Sequence, residues 1–279
     1  QFGLYFEGNQ LSSFKFGGPN ATKITLAFWV KSNKTGTGNV VMRNPDSSLR
    51  QASHSYTISV ADTWEHKILV FDGDTSAGFN DDNNQSMQLY WWLDGGSNFQ
   101  VGSVSDGAWG AQNNSCFYAG ADLDIAQNTA NDWAFTGVQM LAGEYSASTL
   151  PPFQFDSYGD NLLRCQRYFT MYAEGAQAPV GNGLFWEAAE VMVTCHLPTT
   201  MRLEPPTIYQ TTGTDYYFLY RNGAADGITE LTLNASSSPN AITIYLNSAT
   251  NGLASDTKNR PCILRAGSAS AKFGLDAEM

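Results

Sequence analysis

The stretch Ile24-Thr-Leu-Ala-Phe-Trp-Val-Lys31 decides the fold class of this chain. Its large apolar residues recur at every second position, namely Ile24, Leu26, Phe28 and Val30. A period of two is the signature of a β-strand with one face in a core. Because successive side chains of a strand point to opposite faces, we expect Trp29 to lie on the face away from that core.

The same alternation recurs outward from this stretch in both directions. It predicts further strands near residues 56–60, 87–94 and 133–141, and later near 231–233, 242–246 and 273–277. Turn-forming runs separate the strands, among them 34–38, 72–78, 80–84, 181–183, 222–223 and 251–252. The pattern predicts an all-β protein of two antiparallel β-sandwich domains, the first a jelly roll.

One segment departs from the strand period. Ser157 and Asp160 form a helix-capping pattern, and a short helical run follows through Gln166. The pair Pro151-Pro152 precedes it, where a strand ladder cannot continue. We predict a carbohydrate-binding-module-like jelly roll over residues 1–157, a short helical connector over 158–169 and a C-terminal β-sandwich over 170–279.

Composition and charge narrow the class of function. Only 15% of the residues are charged and 13% are aromatic, which suits short strands joined by many turns. Acidic residues outnumber basic ones by 26 to 15, and the basic residues are scattered, whereas nucleic-acid binding requires clustered Lys and Arg. No apolar run approaches the roughly 20 residues of a membrane span. We therefore expect neither a nucleic-acid partner nor membrane insertion.

The sequence contains no recognisable catalytic motif. Neither Gly-x-Ser-x-Gly nor His-Glu-x-x-His occurs, and His66 sits on a predicted strand as a solvated residue. The cysteines form no Cys-x-x-Cys pair, so no zinc site is expected. Cys165 and Cys195 are interpreted as buried free thiols, with disulfides as the less favoured alternative. The prediction is a protein that is not an enzyme, although its many carboxylates leave a two-carboxylate glycosidase open.

Several segments resemble one known family. Residues 26–32, 62–67, 72–75 and 135–139 resemble the carbohydrate-binding-module-like jelly roll of many phage virion proteins. Cys165-Gln-Arg-Tyr168 is similar to a segment of phage tail-fibre and head-fibre C-termini. Residues 198–202 and 275–279 resemble the second domain of that family. The chain begins at Gln1 in strand-like sequence, so we expect it to be a piece of a longer protein.

The resemblance implies a virion protein, as part of a tail fibre, a head fibre or a capsid decoration. It implies contact with other virion proteins and adhesion to host-surface glycan. A homo-oligomer, with a trimer favoured, agrees with the apolar run Tyr216-Tyr-Phe-Leu-Tyr220, which a monomer would rarely expose. The alternatives are a secreted carbohydrate-binding module and a virion-associated glycan depolymerase.

Four aromatic residues are candidates for glycan contact: Trp29, Tyr90, Trp92 and Trp109. Sugar rings stack on aromatic faces. Trp91 shares the core face of its strand with Leu89, so Tyr90 and Trp92 point away from it. The alternative, which we favour for the face formed by Trp29, Tyr90 and Trp92, is that these rings pack on a loop, on the second domain or on another subunit.

Acidic turns raise the question of a metal. Asp72-Gly-Asp74 and the run 80–84 could supply oxygen ligands to a structural Ca²⁺, which carbohydrate-binding jelly rolls often hold. The spacing is not that of an EF-hand, so solvated turn residues are the preferred interpretation and no cofactor is expected.

Overall fold

The structure is a computed structural model that describes residues 1–47, 49–234, 238 and 240–278. Strands account for 43% of it and helices for 10%, and the strand pairs are antiparallel, so the predicted all-β sandwich class is confirmed. The jelly-roll topology of the first domain stays a prediction. The chain divides into two compact units, residues 1–154 and 155–278.

The described part of the first unit forms two sheets. Its strands are β1 (Phe2–Glu7), β2 (Ile24–Ser32), β3 (Gly36–Asn44), β4 (Arg50–Ile58), β5 (Glu65–Phe71), β6 (Gln85–Trp92), β7 (Gly110–Ala111) and β8 (Trp133–Ala142). One sheet has the order β1-β6-β3-β4-β7 and the other β5-β2-β8. Short 3-10 turns punctuate the connections, at Gly8–Gln10, Ser12–Phe14, Ser97–Phe99, Asn114–Cys116 and Ile125–Gln127.

Both sheets contribute to one apolar core in this unit. The alternating residues of β2 predicted to face inward are fully buried, and so are Met87, Leu89 and Trp91 of β6. The Trp91 ring meets the edge of Phe28 from the opposite sheet, with the ring centroids 5.6 Å apart. The predicted core position of Trp91 is therefore confirmed. Since Trp91 also contacts Phe135 of β8, it joins three strands of the sandwich.

The second unit also places two sheets around a core. Its elements are α1 (Tyr158–Gln166), β9 (Phe169–Glu174), β10 (Pro179–Glu187), β11 (Glu190–His196), β12 (Thr207–Gln210), β13 (Tyr217–Arg221), β14 (Ala224–Ile228), β15 (Thr232–Leu233), β16 (Ala241–Asn247), α2 (Ser248–Asn251), β17 (Pro261–Ala266) and β18 (Lys272–Asp276). The sheets have the orders β14-β13-β17-β10-β11-β16-β15 and β12-β18-β9.

Alternation again decides which residues are buried in the second unit. Ile242, Ile244 and Leu246 of β16 are fully buried, as their spacing predicts. Phe273 and Leu275 of β18 close the core from the smaller sheet. The alternation of inward-facing apolar residues along the strands thus forms the core of each unit.

The helix predicted from the capping pattern is confirmed as α1. The Ser157 hydroxyl accepts a hydrogen bond from the backbone N–H of Asp160 at 3.2 Å. The structure places α1 within the second unit, and the boundary between the units falls between Gln154 and Phe155. No helix among the described residues is long and apolar enough to cross a membrane.

The predicted turn at 181–183 and the end of the predicted turn 34–38 are wrong, since residues 181–183 and 36–38 lie in strands. Residues 181–183 lie inside β10, and a Cβ atom added to Gly183 would meet the carbonyl of Met192 at 2.3 Å, so this glycine allows close strand pairing. The Asn251-Gly252 pair ends the short helix α2, with Gly252 in the left-handed region. By contrast, Asn222-Gly223 joins β13 to β14 with positive φ at both residues, as such a pair does in a tight hairpin.

The interpretation of the cysteines is corrected in part. All four, which lie within the described residues, are free thiols. Cys195 is buried and donates to the carbonyl of Val180 at 3.2 Å, and burial raises the pKa of its thiol to about 12. Cys165 is exposed on α1, because the helix buries none of its residues.

The replacement Trp91→Ala tests the inter-sheet role of this ring. We expect it to lower the free energy of unfolding by about 3–5 kcal/mol, because it removes buried apolar surface and leaves a cavity. Urea denaturation followed by circular dichroism measures the change. The half-exposed Trp64→Ala is the matched control and should cost under about 1 kcal/mol; equal losses in the two variants would contradict the assignment.

Candidate functional site

The outward face of the sheet β5-β2-β8 carries the most exposed aromatic residue of the central strand. Because Phe28 and Val30 point into the core, Trp29 and Lys31 point away from it. The indole of Trp29 is 42% exposed although β2 is bordered on both sides. A large apolar ring at the centre of a sheet is normally covered, so its exposure marks this face.

The chain that follows β8 covers one half of this face. The Thr25 hydroxyl donates to the carbonyl of Gly143 at 2.7 Å and accepts from the N–H of Tyr145 at 3.0 Å. Thr25 and Ala27 are fully buried beneath this segment, although both point outward. The exposed ring of β2 on this face therefore lies at the other end of the strand, at Trp29.

Trp29 stacks on the imidazole of His66 from the neighbouring strand. The two residues are directly paired across β2 and β5, and their ring centroids are 4.8 Å apart with an interplanar angle of 16°. The desolvation that accompanies this packing lowers the pKa of His66 below its usual value of 6.5. At neutral pH the imidazole is thus uncharged and offers one hydrogen-bond donor and one acceptor.

A second half-exposed tryptophan lies one step further along. Trp64 directly precedes β5, and its contact with the outward-pointing Lys31 places it on the same face as Trp29. The Lys31 ammonium lies 5.6 Å from the centre of the Trp64 ring, a cation–π contact, and the indole is 42% exposed. Together Trp29, Lys31, Trp64 and His66 form what we call the Trp29–Trp64 face.

The turn before β5 is held by Glu65. One carboxylate oxygen of Glu65 accepts from the N–H groups of Ser59 and Val60 at 2.7 and 2.8 Å, and the other accepts from Lys67 at 2.6 Å. These bonds outweigh the desolvation of Glu65 and keep its pKa below the usual value. They also restrict the backbone beside Trp64, so the position of that ring does not depend on its own contacts alone.

A bulge in β8 makes room for Trp29 on the other side. Ala27 pairs with Gln139 but Trp29 pairs with Thr136, so the register shifts between them. Gly137 lies in this shift with a φ of 60°, and a Cβ atom there would approach the Trp29 ring to 3.3 Å. Glycine is suited both to the left-handed conformation and to the close approach.

The structure places the other candidate aromatics elsewhere. Tyr90 and Trp92 point outward from the larger sheet, as predicted, but Tyr90 is 7% exposed and packs edge-on against Tyr5. Trp92 packs against Phe99 and Phe117 at centroid distances of 5.0 and 5.1 Å. Trp92 therefore packs on loop residues, as the favoured alternative predicts. Neither the Tyr90 ring nor the Trp92 ring offers much accessible surface to a ligand.

Trp109 lies apart from the other candidates, directly before β7. Its indole N–H donates to the carbonyl of Asp72 at 2.8 Å and its ring meets Phe16 edge-on at 5.3 Å. The four candidate residues are thus not brought together, and Trp29 is the one among them whose ring is exposed. Trp64 was not identified from the sequence as a neighbour of Trp29. The available signal was the spacing of two residues between Trp64 and His66, which is typical of side chains on one face.

The acidic turns are occupied by protein contacts. Asp74 is buried, pairs with Arg50 and accepts from the N–H of Ser76 at 2.9 Å. Asp82 accepts from the N–H of Asn84 at 2.9 Å. No group of three or more His, Cys, Asp or Glu able to hold a metal occurs among the described residues. A Ca²⁺ ion at Asp74 would have to compete with Arg50.

Comparison of the chain with family models, with curated proteins and with solved structures finds no match.

The stack between Trp29 and His66 makes a prediction about pH. In Trp29→Ala, the imidazole regains solvent, so its pKa should rise back toward about 6.5. Titration of the His66 ring resonances by NMR measures both values, and His196, which is exposed, is an internal control. A wild-type His66 pKa above 6.5, or one unmoved by the substitution, would contradict this account of the stack.

Proposed function

We propose that the first unit binds glycan through the Trp29–Trp64 face, and that the chain serves as a non-enzymatic surface protein of a virion. The observation that carries the glycan proposal is the pair of half-exposed indoles on one open sheet face. The virion context, as a fibre or a capsid decoration, rests on the resemblance of several segments to phage proteins.

The chemistry of the face suits a sugar. The apolar C–H face of a pyranose ring can stack on each indole. Lys31 and the neutral His66 lie beside these rings and can bond sugar hydroxyls, since an ammonium donates and an imidazole both donates and accepts. Two stacking platforms with polar groups between them fit an oligosaccharide better than a single small molecule.

A binding role is favoured over the depolymerase alternative. Hydrolysis of a glycosidic bond by the usual route needs a carboxylic acid of raised pKa beside a second carboxylate. Glu65, which directly precedes His66, has the opposite property, because its bonds to Lys67 and to two backbone N–H groups hold its pKa low. Binding without turnover is therefore the function that this face supports.

We also propose that copies of the chain associate, with a trimer favoured. Of the run 216–220, Tyr217 and Leu219 are fully buried in the core, so only the partly exposed Tyr216, Phe218 and Tyr220 are left for a contact with another copy. A better candidate is the apolar surface in and before α1, where Phe155 is 89% exposed and Tyr158 is 84% exposed. A fibre or decoration protein would bury such residues against another copy or a neighbouring virion protein.

Glycan binding is tested by substitution on the Trp29–Trp64 face. Trp29→Ala and Trp64→Ala should each weaken binding about five- to hundredfold, because loss of one stacked ring costs roughly 1–3 kcal/mol. A glycan array identifies the ligand and calorimetry gives the affinities. Tyr5→Ala removes a similarly exposed ring from the opposite sheet and should leave binding unchanged.

Three experimental results would argue against the proposal. These are no binding by the full chain, equal loss in Tyr5→Ala, and release of shortened sugar products, which would favour the depolymerase. Sedimentation of the purified chain with virions that lack it separates the virion protein from a secreted module, since only the former should pellet.

Self-association has its own test. The full chain should have the mass of a trimer in native mass spectrometry at micromolar concentration, and Phe155→Ser with Tyr158→Ser should shift it toward monomer. Val101→Ser, a similar change at an exposed residue of the first unit, is the control. A monomeric wild-type chain over the whole concentration range would remove this part of the proposal.

A further inference from the structure

The outward face of the larger sheet in the second unit carries a separate concave surface. One row of directly paired residues crosses it, formed by Tyr220 of β13, Ile263 of β17 and Asn182 of β10. Ile263 and the nearby Leu184 are about two-fifths exposed, at 39% and 41%. The surface therefore has an apolar floor with an amide and a phenol ring beside it.

Two adjoining depressions lie on this surface, with volumes of about 540 and 450 Å³. They share Asn222, in the β13–β14 turn, and Pro261, at the start of β17. The first is floored by the row that contains Tyr220, and the second is walled by residues 257–260. We call the two depressions together the second-unit groove.

The wall of this groove is built rigidly. Asp256 accepts from Arg221 and from Arg260, each at 2.9 Å, and Arg221 also pairs with Asp226 at 2.9 Å. A hydrogen bond from the N–H of Thr257, together with the bond from Arg221, keeps the pKa of Asp256 below its usual value. The network ties the 257–260 wall to the β13–β14 hairpin, so the groove is formed before any ligand arrives.

The open end of the groove carries a cation beside an exposed ring. The Lys258 ammonium lies 5.8 Å from the centre of the Trp186 ring and 2.6 Å from a carboxylate oxygen of Glu187. Trp186 is 51% exposed, and the side chains of Lys258 and Glu187 are each about half exposed. A surface ion pair of this kind is weak, so Lys258 can exchange Glu187 for a ligand anion at little cost.

Basic residues are concentrated here in a protein that is otherwise acidic. The net charge is −11, yet four of the 15 basic residues lie in or beside this groove, namely Arg221, Lys258, Arg260 and Arg265. Arg221 and Arg260 are occupied by Asp256 and Arg265 lies over the Tyr220 ring, while Lys258, held by a surface ion pair with Glu187, is the cation at the open end of the groove. Three carboxylates, Asp226, Asp256 and Glu187, lie among these four cations, so the groove carries a slight positive excess in a protein of net charge −11, and this excess favours an anionic ligand over a neutral one.

We propose that the second-unit groove is a second glycan site, selective for sugars that carry a carboxylate, such as uronic or sialic acids. The sugar carboxylate pairs with Lys258, the ring stacks on Trp186, and Asn182 and Asn222 bond hydroxyls along the groove. The site is independent of the Trp29–Trp64 face, which has different residues and lies in the other unit.

The test uses the full chain on an array of neutral and acidic oligosaccharides at low and high salt. The wild type should bind acidic members, and the binding should weaken as salt rises because the contact is ionic. Lys258→Glu and Trp186→Ala should each lower this binding about tenfold or more, while Trp29→Ala leaves it unchanged. Failure of the first-unit proposal would appear separately, as sugar binding that neither Trp29→Ala nor Trp64→Ala weakens.

Lys272→Glu is the matched control, because Lys272 is a half-exposed lysine paired with Glu174 on the smaller sheet of the same unit. It should leave acidic-sugar binding intact. Equal loss in Lys258→Glu and Lys272→Glu would overturn the proposal, as would binding that ignores the carboxylate. The proposal would also be overturned if the wild-type chain bound no acidic sugar on the array.

A gain-of-binding variant guards against loss of fold. Glu187→Gln removes the carboxylate that competes for Lys258, so acidic sugars should bind about two- to fivefold more tightly. Circular dichroism of each variant reports whether it is folded. If Glu187→Gln is folded and binds acidic sugars no better than the wild type, Lys258 is not the anchor and the proposal fails.

Discussion

The first unit depends on the central position of β2 between β5 and β8. Bordered on both sides, this strand can neither slip by one residue nor rotate without moving its whole apolar set out of the core. Phe28 is thereby held against Trp91 of the opposite sheet, and Trp29 is held outside. The same constraint therefore places the Phe28 ring in the core and the Trp29 ring in solvent.

What surrounds Trp29 follows from this placement. The bulge at Gly137 removes a Cβ atom that would crowd the ring, and His66 lies flat against it from the paired strand. Other aromatic residues of the same unit are covered by neighbouring rings: the half-buried Trp92, for example, packs against Phe99 and Phe117. An exposed indole with a stacked neighbour and a fixed backbone loses little freedom on binding, which is what a preformed platform requires.

The second unit builds a concave surface by a different device. There the walls are held by charge, since Asp256 joins two arginines from separate segments, whereas the face of the first unit is held by strand pairing. The close pairing of β10 with β11 at Gly183 keeps the floor beneath the groove compact. Both surfaces are rigid, but only the second concentrates cations in an acidic protein.

The amino-acid sequence by itself determined the strands with clear alternation, such as β2, β6, β16 and β18, and the helix cap at Ser157, because these depend on local periodicity and on bonds within one turn. It did not predict β10, where residues 181–183 have the composition of a turn. It also determined that Trp29, Tyr90 and Trp92 point away from the core. The tertiary structure alone decided which of these rings is open. Loops cover Trp92, and strand register joins Trp29 to His66 and Lys31 to Trp64. Those contacts link residues far apart in the chain, so the alternation within a single strand does not encode them.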